Sequence, residues 1–431
     1  MKPVLQIALD LMQLSRSVPI AREAVAGGAS WVEVGTPLLK SEGAESIRTL
    51  RREFPGLKIV ADTKTMDVGA FEVEIAAKAG ADVVTVLGLA DDSTISEAVM
   101  AARKYGAEIM VDLINVPDRV GRSKEAVALG ASYVCLHMGI DQQMKGEGPP
   151  LDLLAKVVEE AGVPVAVAGG ITAENAGDYV EAGASIIIVG GGIIKAADIE
   201  GAARNVLAAM SGAVPEKGSP SKKYGEGELF EAFSKVSTCN ISDAFHKQGV
   251  MIGLVPHIES GTRMVGRALT VQTANGDWAK PVEATDRAKE GDVIVIDAGG
   301  APVAVWGELA SHSAMVKGCR GVVIDGAIRD IDDIKKAGFP AFSRSVAPNA
   351  GEPKGYGGIG IEVVVGGQRV RTGDWVVGDE NGVVVVPQEV AVEVANRSLA
   401  VHENENRTRE EILRGSTLSE VNEICKWEPV K

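Results

Sequence analysis

The sequence predicts an α/β chain in two parts, a closed (β/α)8 barrel followed by a mixed α/β domain of different construction. Three observations predict this. Eight short apolar runs, each ending in a polar, acidic or glycine residue, fill the chain as far as Gly191, with Ala-rich helical stretches between them. A Gly-, Pro-, Ser- and Lys-rich stretch from Ser211 to Gly227 then breaks the pattern. Beyond it, the strand-like runs come in hairpins as well as in strand–helix pairs.

The eight runs are LQIALD (Leu5 to Asp10), WVEVGT from Trp31, KIVADTK from Lys58, DVVTVLG from Asp82, EIMVDLI from Glu108, YVCLHMG from Tyr133, PVAVAGG from Pro164 and SIIIVGG from Ser185. Parallel strands buried on both faces favour such continuous Val, Ile and Ala runs. A last helix over Ala196 to Met210 closes the barrel, so the expected divisions are 1–210 for the barrel, 211–227 for a linker and 228–431 for the second domain. In that domain a helix is expected over Glu228 to Phe233, and Ser242 or Asp243 as the cap of another. Strands are expected from Gly266, Asp292, Gly321, Ala341, Ile361 and Asp374, and helices over Pro281 to Lys289, Gly307 to Lys317 and Ile331 to Ala337. Gly366-Gly367 and Asn381-Gly382 read as two-residue hairpin turns. A polar helix, Gln388 to Leu413, follows, and its charged run HENENRTREE reads as a solvated or subunit-bridging face.

At 431 residues the chain suits two domains. Aromatics make up only 4% of it against 45% apolar residues, so aliphatic side chains must build the cores. A net charge of -15 argues against a nucleic-acid or anionic-membrane surface. The four cysteines (Cys135, Cys239, Cys319, Cys425) show no paired spacing and read as reduced, mostly buried thiols. Met1 leads straight into a strand without a signal-peptide pattern, and no run approaches a membrane span, so a cytoplasmic enzyme is expected.

Barrel enzymes carry their chemistry at the C-terminal strand ends. Here those ends collect Asp10, Glu33, Asp62, Lys64, Asp67, Asp112 and His137, with Gly169-Gly170 and Gly190-Gly191-Gly192 on the last two. In Asp62-Thr-Lys64-Thr-Met-Asp67, alternation places Asp62 and Lys64 on one face, with Asp67 just beyond. Charges this close perturb one another and can share protons or a metal. Removing a proton beside a ketone leaves charge on two adjacent oxygens, which a divalent ion between carboxylates offsets. Histidine suits a reversible proton transfer near neutral pH. The glycine pairs suit phosphate, which approaches bare backbone, though glycines ending strands are also ordinary turns. His137 also has a plain reading as a structural group in an apolar strand, and Asp10 and Asp112 as ordinary ion-pair partners.

The DxKxxD motif resembles the orotidine 5'-monophosphate decarboxylase superfamily. Within it, LQIALD, VEVGTP, ADTKTMD, VDLINV, LHMGID and AVAGGI resemble the 3-hexulose-6-phosphate synthases, over Leu5 to about Met210. The resemblance implies a dimeric, Mg2+- or Mn2+-dependent barrel. It would condense formaldehyde with D-ribulose 5-phosphate, reversibly, to D-arabino-hex-3-ulose 6-phosphate. It implies Glu33 and Asp62 as metal carboxylates, Lys64 as the stabiliser of an enediolate and His137 as the proton carrier. Asp67 resembles a residue offered across the dimer, and Asp10 a partner of the lysine or of a substrate hydroxyl. Asp112, Gly169, Gly170, Gly190 and Gly191 are expected on the substrate and its phosphate. Related decarboxylases, such as those of 3-keto-L-gulonate 6-phosphate, often carry an arginine in the eighth-strand segment, where this chain has Gly192 and Ile193.

In the second domain, GVVIDGAIRD places Arg329 and Asp330 at a strand end, near Glu308. Arginine can fork onto a carboxylate, and aspartate can hold a metal. Such neighbours also form plain surface pairs. STCNISDAF, GRALTVQT, EGDVIVIDAGG and GDWVVGDENGVVVVP resemble the family of regulator of ribonuclease activity A and the 4-hydroxy-4-methyl-2-oxoglutarate aldolases, over Glu228 to Pro387. That resemblance implies the ribonuclease-regulator-like fold. It implies Asp330 and Glu308 at a divalent metal, and Arg329 with the backbone near Leu309 on the carboxylate and enolate of a 2-oxo acid. Glu308 stands where aspartate is common. The alternative is a non-catalytic oligomerisation or ribonuclease-regulating module. A homo-oligomer is expected, since the barrel's resemblance implies a dimer.

Overall fold

The computed structural model describes residues 3–146, 148–213 and 222–422. It divides into two compact units, Met1–Lys223 with Glu403–Lys431, and Tyr224–His402.

The first unit contains a closed barrel of eight strands: β1 (Val4–Leu9), β2 (Trp31–Val34), β3 (Lys58–Thr65), β4 (Val83–Leu87), β5 (Glu108–Asp112), β6 (Tyr133–His137), β7 (Val165–Ala168) and β8 (Ile186–Val189). Neighbours pair in parallel, and β1 closes on β8. Strand alternation sorts the side chains into two layers. Leu5, Ile7, Leu9, Val32, Val34, Ile59, Ala61, Ile109, Val111, Val134 and Leu136 face the helices and belong to the large outer core. Ala8, Val60, Val83, Met110, Cys135, Ala166 and Ile188 form a second, inner core. By the same alternation Gln6, Asp10, Glu33, Asp62, Thr85, Asp112 and His137 point inward, so the site is a consequence of register.

In the second unit the strands are β9 (Val250–Met251), β10 (Val255–His257), β11 (Met264–Gln272), β12 (Asp292–Ala304), β13 (Gly321–Ile328), β14 (Ala341–Val346), β15 (Gly358–Ile359), β16 (Val363–Val365), β17 (Gln368–Val370), β18 (Trp375–Asp379) and β19 (Gly382–Val386). The main sheet runs β10-β14-β13-β12-β11-β18-β19-β9, with β15 added to β11 and with β16-β17 as a separate hairpin. Strands β11 to β14 are parallel, and the outer pairings are antiparallel, as a mixed domain requires. Every residue of β13 is buried, which fits a central strand covered on both faces.

Several expectations need correction. Ser237, not Ser242 or Asp243, caps the helix Thr238–Ala244: its hydroxyl accepts from the Asn240 N–H, and Asn240 returns to the Ser237 N–H. The second hairpin turns at Glu380-Asn381, because Asp379 pairs with Gly382. The barrel's last helix begins at Ile199 rather than Ala196, where Asp198 caps it. The expected linker lies partly outside the described residues, and the division falls at Lys223/Tyr224. Most consequentially, the helix Ala391–Leu413 does not belong wholly to the second unit. From Glu403 onward the chain groups with the barrel. Its charged run is not simply solvated, since Arg407 is buried and Glu411 nearly so. Cys135 and Cys319 are buried and Cys239 is exposed, while Cys425 lies outside the described residues.

Candidate active site

At the C-terminal mouth of the barrel, Lys64 is the hub. Its Nζ lies 2.8 and 2.6 Å from the two carboxylate oxygens of Asp62 and 3.1 Å from Oδ2 of Asp112. The alternation argument predicted the pairing but not its means. Register shifts between Ala61 and Thr65, and Lys64 takes a left-handed φ of 49°. Such a backbone is costly for a lysine and is held only by surrounding contacts. Asp62 is further fixed by the hydroxyls of Thr36, 2.6 Å from Oδ2, and Thr85, 2.8 Å from Oδ1. Two carboxylates outweigh the desolvation that would otherwise lower it, and the Lys64 ammonium is held far above the ordinary lysine range.

Asp112 was expected on the substrate. In the structure its carboxylate is engaged by the protein, with Oδ2 2.8 Å from Nδ1 of His137 and Oδ1 accepting from the Ile114 N–H. Burial would raise its pKa, but His137 and Lys64 hold it down to about 2. The imidazole responds in kind. Desolvation opposes its charge, Asp112 favours it, and the net shift is upward. A carboxylate on Nδ1 keeps the proton on that nitrogen, so in the neutral ring Nε2 carries the lone pair.

Glu33 is buried, and its Oε2 accepts from Nε2 of Gln6 at 2.5 Å. Burial first, then Asp62 and Asp10, push this carboxyl well above the usual range. Asp10 reaches solvent at the mouth but is crowded by protein. Desolvation and the Asp62 charge raise it too. It fits between two residues without side chains, Gly35 and Gly190; a Cβ on Gly190 would lie 2.9 Å from its Oδ2. Gly169 and Gly170 have φ of 107° and 69°, and a Cβ on Gly169 would strike the Met138 carbonyl. Both positions therefore need glycine, which leaves bare backbone at the end of β7.

Asp67 does not join this cluster. It is exposed, and its carboxylate accepts from the Val68 N–H next to it at 2.7 Å. It stands among exposed apolar side chains, Met66, Val68 (59%), Phe71 (63%) and Ile75. Gln6, Thr36 and Thr85 went unread in the sequence. Gln6 and Thr85 each left a signal, a lone polar residue at an inward position of an apolar strand.

In the second unit, the end of β13 brings Arg329, Asp330 and Glu308 together. Arg329 Nε lies 3.3 Å from Asp330 Oδ2, which also accepts from the Glu308 N–H at 3.3 Å. Glu308 opens the helix Glu308–Val316 and pairs with His312 one turn on, at 3.0 Å. Asp330 adopts a left-handed φ of 58°, and a Cβ on Gly307 would lie 2.6 Å from its carboxylate. Leu309 is exposed.

Residues 3–206 match the family model described as orotidine 5'-phosphate decarboxylase / HUMPS family, and residues 238–385 match the one described as Aldolase/RraA. The 3-hexulose-6-phosphate synthase of Methylomonas aminofaciens is 43% identical over 201 residues, 47% of this chain and 96% of that protein. The synthase of Mycobacterium gastri is 42% identical over 207 residues, covering 48% and 99%. That of Bacillus subtilis (strain 168) is 41% identical over 196 residues, covering 45% and 92%.

Proposed function

Because the chain belongs, through its barrel, to the orotidine 5'-phosphate decarboxylase / HUMPS family, we propose that it is a lyase that condenses formaldehyde with D-ribulose 5-phosphate to D-arabino-hex-3-ulose 6-phosphate, and cleaves the product in reverse. The observation that carries this reading is the buried Asp62–Lys64–Asp112–His137 chain on inward strand ends.

Nε2 of neutral His137 takes a proton from the hydroxymethyl carbon beside the ketone. That carbon then bonds to the carbon of formaldehyde, and a proton returns to the former aldehyde oxygen. The Lys64 ammonium, fixed by two carboxylates, would meet the developing enediolate charge without reorganisation. Asp112 keeps the imidazole in one tautomer, as an orienting partner. Bare backbone at Gly169-Gly170 and Gly190-Gly191 would receive the phosphate.

Among the described residues no group of three or more acidic, histidine or cysteine side chains is arranged as a preformed metal site, so an ion would depend on substrate and water for most of its ligands. The Asp62 charge raises Glu33 and Asp10, and a cation between these carboxylates would offset that. Mg2+ needs only one or two protein carboxylates when substrate and water supply the rest. Glu33 and Asp62 would hold it, and bound there it would neutralise the enediolate oxygens. Asp67, set in its apolar surround, fits a residue delivered to a second copy's site. The decarboxylase alternative is less favoured, since Gly192 and Ile193 stand where those enzymes often have arginine.

The second unit has its own reading. Asp330, with Glu308 nearby, would hold a divalent ion, and Arg329 the carboxylate of a 2-oxo acid, for cleavage of pyruvate-derived aldols. The adjacency of the three residues favours this over a module without chemistry.

The test is direct. The purified chain should form hexulose phosphate from ribulose 5-phosphate and formaldehyde, and EDTA should abolish it. Absence of product with metal supplied would overturn the barrel assignment.

A further inference from the structure

Residues Glu403–Val421 group with the barrel, and their contacts are specific. Glu411 forms a fork with Arg16, at 2.8 Å to Nε and 3.0 Å to Nη2, with both side chains largely buried. Arg407, buried beside it, holds the same carboxylate at 3.1 Å. Arg414 reaches Glu23 at 3.0 Å and the Ala197 carbonyl at 3.5 Å. The amide of Gln13, itself buried, donates to the Val421 carbonyl at 2.9 Å. Arg16 and Glu23 lie seven residues apart on the helix Leu14–Ala26, two turns along one face, so this segment runs beside that helix.

The places it grips are not arbitrary. Gln13 follows Asp10 by three residues, in the loop after β1. Ala197 belongs to the loop after β8, which starts with Gly190-Gly191. These two loops flank the position assigned to the phosphate, and the Asp10 carboxylate already fits against Gly190. Two lysines complete the surroundings. Lys195 ends the short helix Gly191–Ile194, and Lys223 carries a positive charge into the same field, with Glu403 as their shared carboxylate. Burial and the Lys195 charge hold the Lys223 ammonium down to about 8. Lys195 also faces Asp10, so these cations are shared between two carboxylates and the position assigned to the phosphate.

We propose that Glu403–Val421 is a strap belonging to the phosphosugar site: by tying the loop after β1 to the loop after β8 it positions the residues that receive the phosphate, and Glu411 and Arg16 are the positioning pair. This rests on the reading of the barrel as a phosphosugar enzyme. The strap lies beyond the 3–206 segment shared with the synthase family, so the phosphate end of this site is finished by a part of the chain that the family's segment does not contain. A forked, largely buried ion pair is worth more than an exposed one, and its loss should loosen both loops.

The test uses the full chain and the variants Glu411→Arg, Glu411→Gln and Arg16→Glu/Glu411→Arg. The first two should raise KM for ribulose 5-phosphate about tenfold with kcat within about twofold, as expected when ordering of a binding loop is lost. The charge-swapped double variant should recover most of the affinity. Hydrogen exchange over residues 10–16 and 193–198 should speed up in the single variants without any substrate present. If the wild-type chain makes no hexulose phosphate, the reading of the barrel has failed, and exchange alone then judges the strap. Faster exchange with unchanged KM reduces the strap to scaffold and overturns the proposal, as does unchanged exchange.

Discussion

Nδ1 of His137 lies 2.8 Å from Oδ2 of Asp112, a carboxylate almost wholly removed from water. Because Asp112 raises the imidazole's pKa above its ordinary value, the pair contributes stability that is complete below about pH 6.5 and is lost as pH rises through the folded value. The base must be neutral to accept a proton, so the synthase rate should climb with pH through that same raised value.

Asp112→Asn removes the charge that supports the imidazolium. The rise in rate should move to lower pH, and the rate at its plateau should fall by about 10²-fold or more, because the imidazole loses its fixed orientation. Paired pH–rate profiles measure both effects. An unshifted profile would detach His137 from the proton transfer.

Lys64→Ala leaves Asp62 and Asp112 buried without their shared cation. Turnover should drop by about 10³-fold, and stability by about 3–5 kcal/mol, the cost of stranding a buried charge. Steady-state kinetics and denaturant unfolding separate the two losses. Near-normal turnover would remove Lys64 from the mechanism.

Gly169→Ala asks a residue with a side chain to adopt φ of 107° and places a methyl group against the Met138 carbonyl. The expected cost is about 1 kcal/mol or more, with a higher KM for the phosphosugar and a folded barrel. Thermal unfolding and KM together decide it; a variant as stable and as tight-binding as wild type would mean that the turn is not built as described.

Asp330→Ala should abolish Mg2+- or Mn2+-dependent decarboxylation of oxaloacetate, a reaction that passes through the same pyruvate enolate as aldol cleavage, and leave the synthase rate alone. Asp62→Ala should do the reverse. If the wild-type chain binds no divalent ion outside the barrel and leaves oxaloacetate intact, the second unit is a module without this chemistry.

The barrel was legible because its strands are continuous apolar runs whose last residues break the pattern, and because inward positions follow from counting by twos. That count places Glu33, Asp62, Asp112 and His137 correctly. It does not reveal which carboxylate bonds to which cation, so the bond from Asp112 to His137 is not legible in it. Nor does it reveal the register shift that turns Lys64 back toward Asp62. The strap was hidden for a different reason. Arg407 and Glu411 carry the composition of a solvated helix face, whereas Glu411 pairs with Arg16, hundreds of residues away in the chain, and with Arg407. The misplaced cap and turn in the second unit are local ambiguities, where Ser237 competed with Ser242 and Glu380-Asn381 with Asn381-Gly382.

In the proposed reaction the second reactant is formaldehyde, which condenses with free amines and thiols. An amine attacks an aldehyde only after losing its proton, and Asp62 and Asp112 deny Lys64 that loss across the physiological range. Cys135, on the inner layer of the barrel, is likewise kept as the unreactive thiol, chiefly by burial. On the proposed reaction, the same carboxylates that fix the Lys64 ammonium would thus also keep that one amine from condensing with the aldehyde.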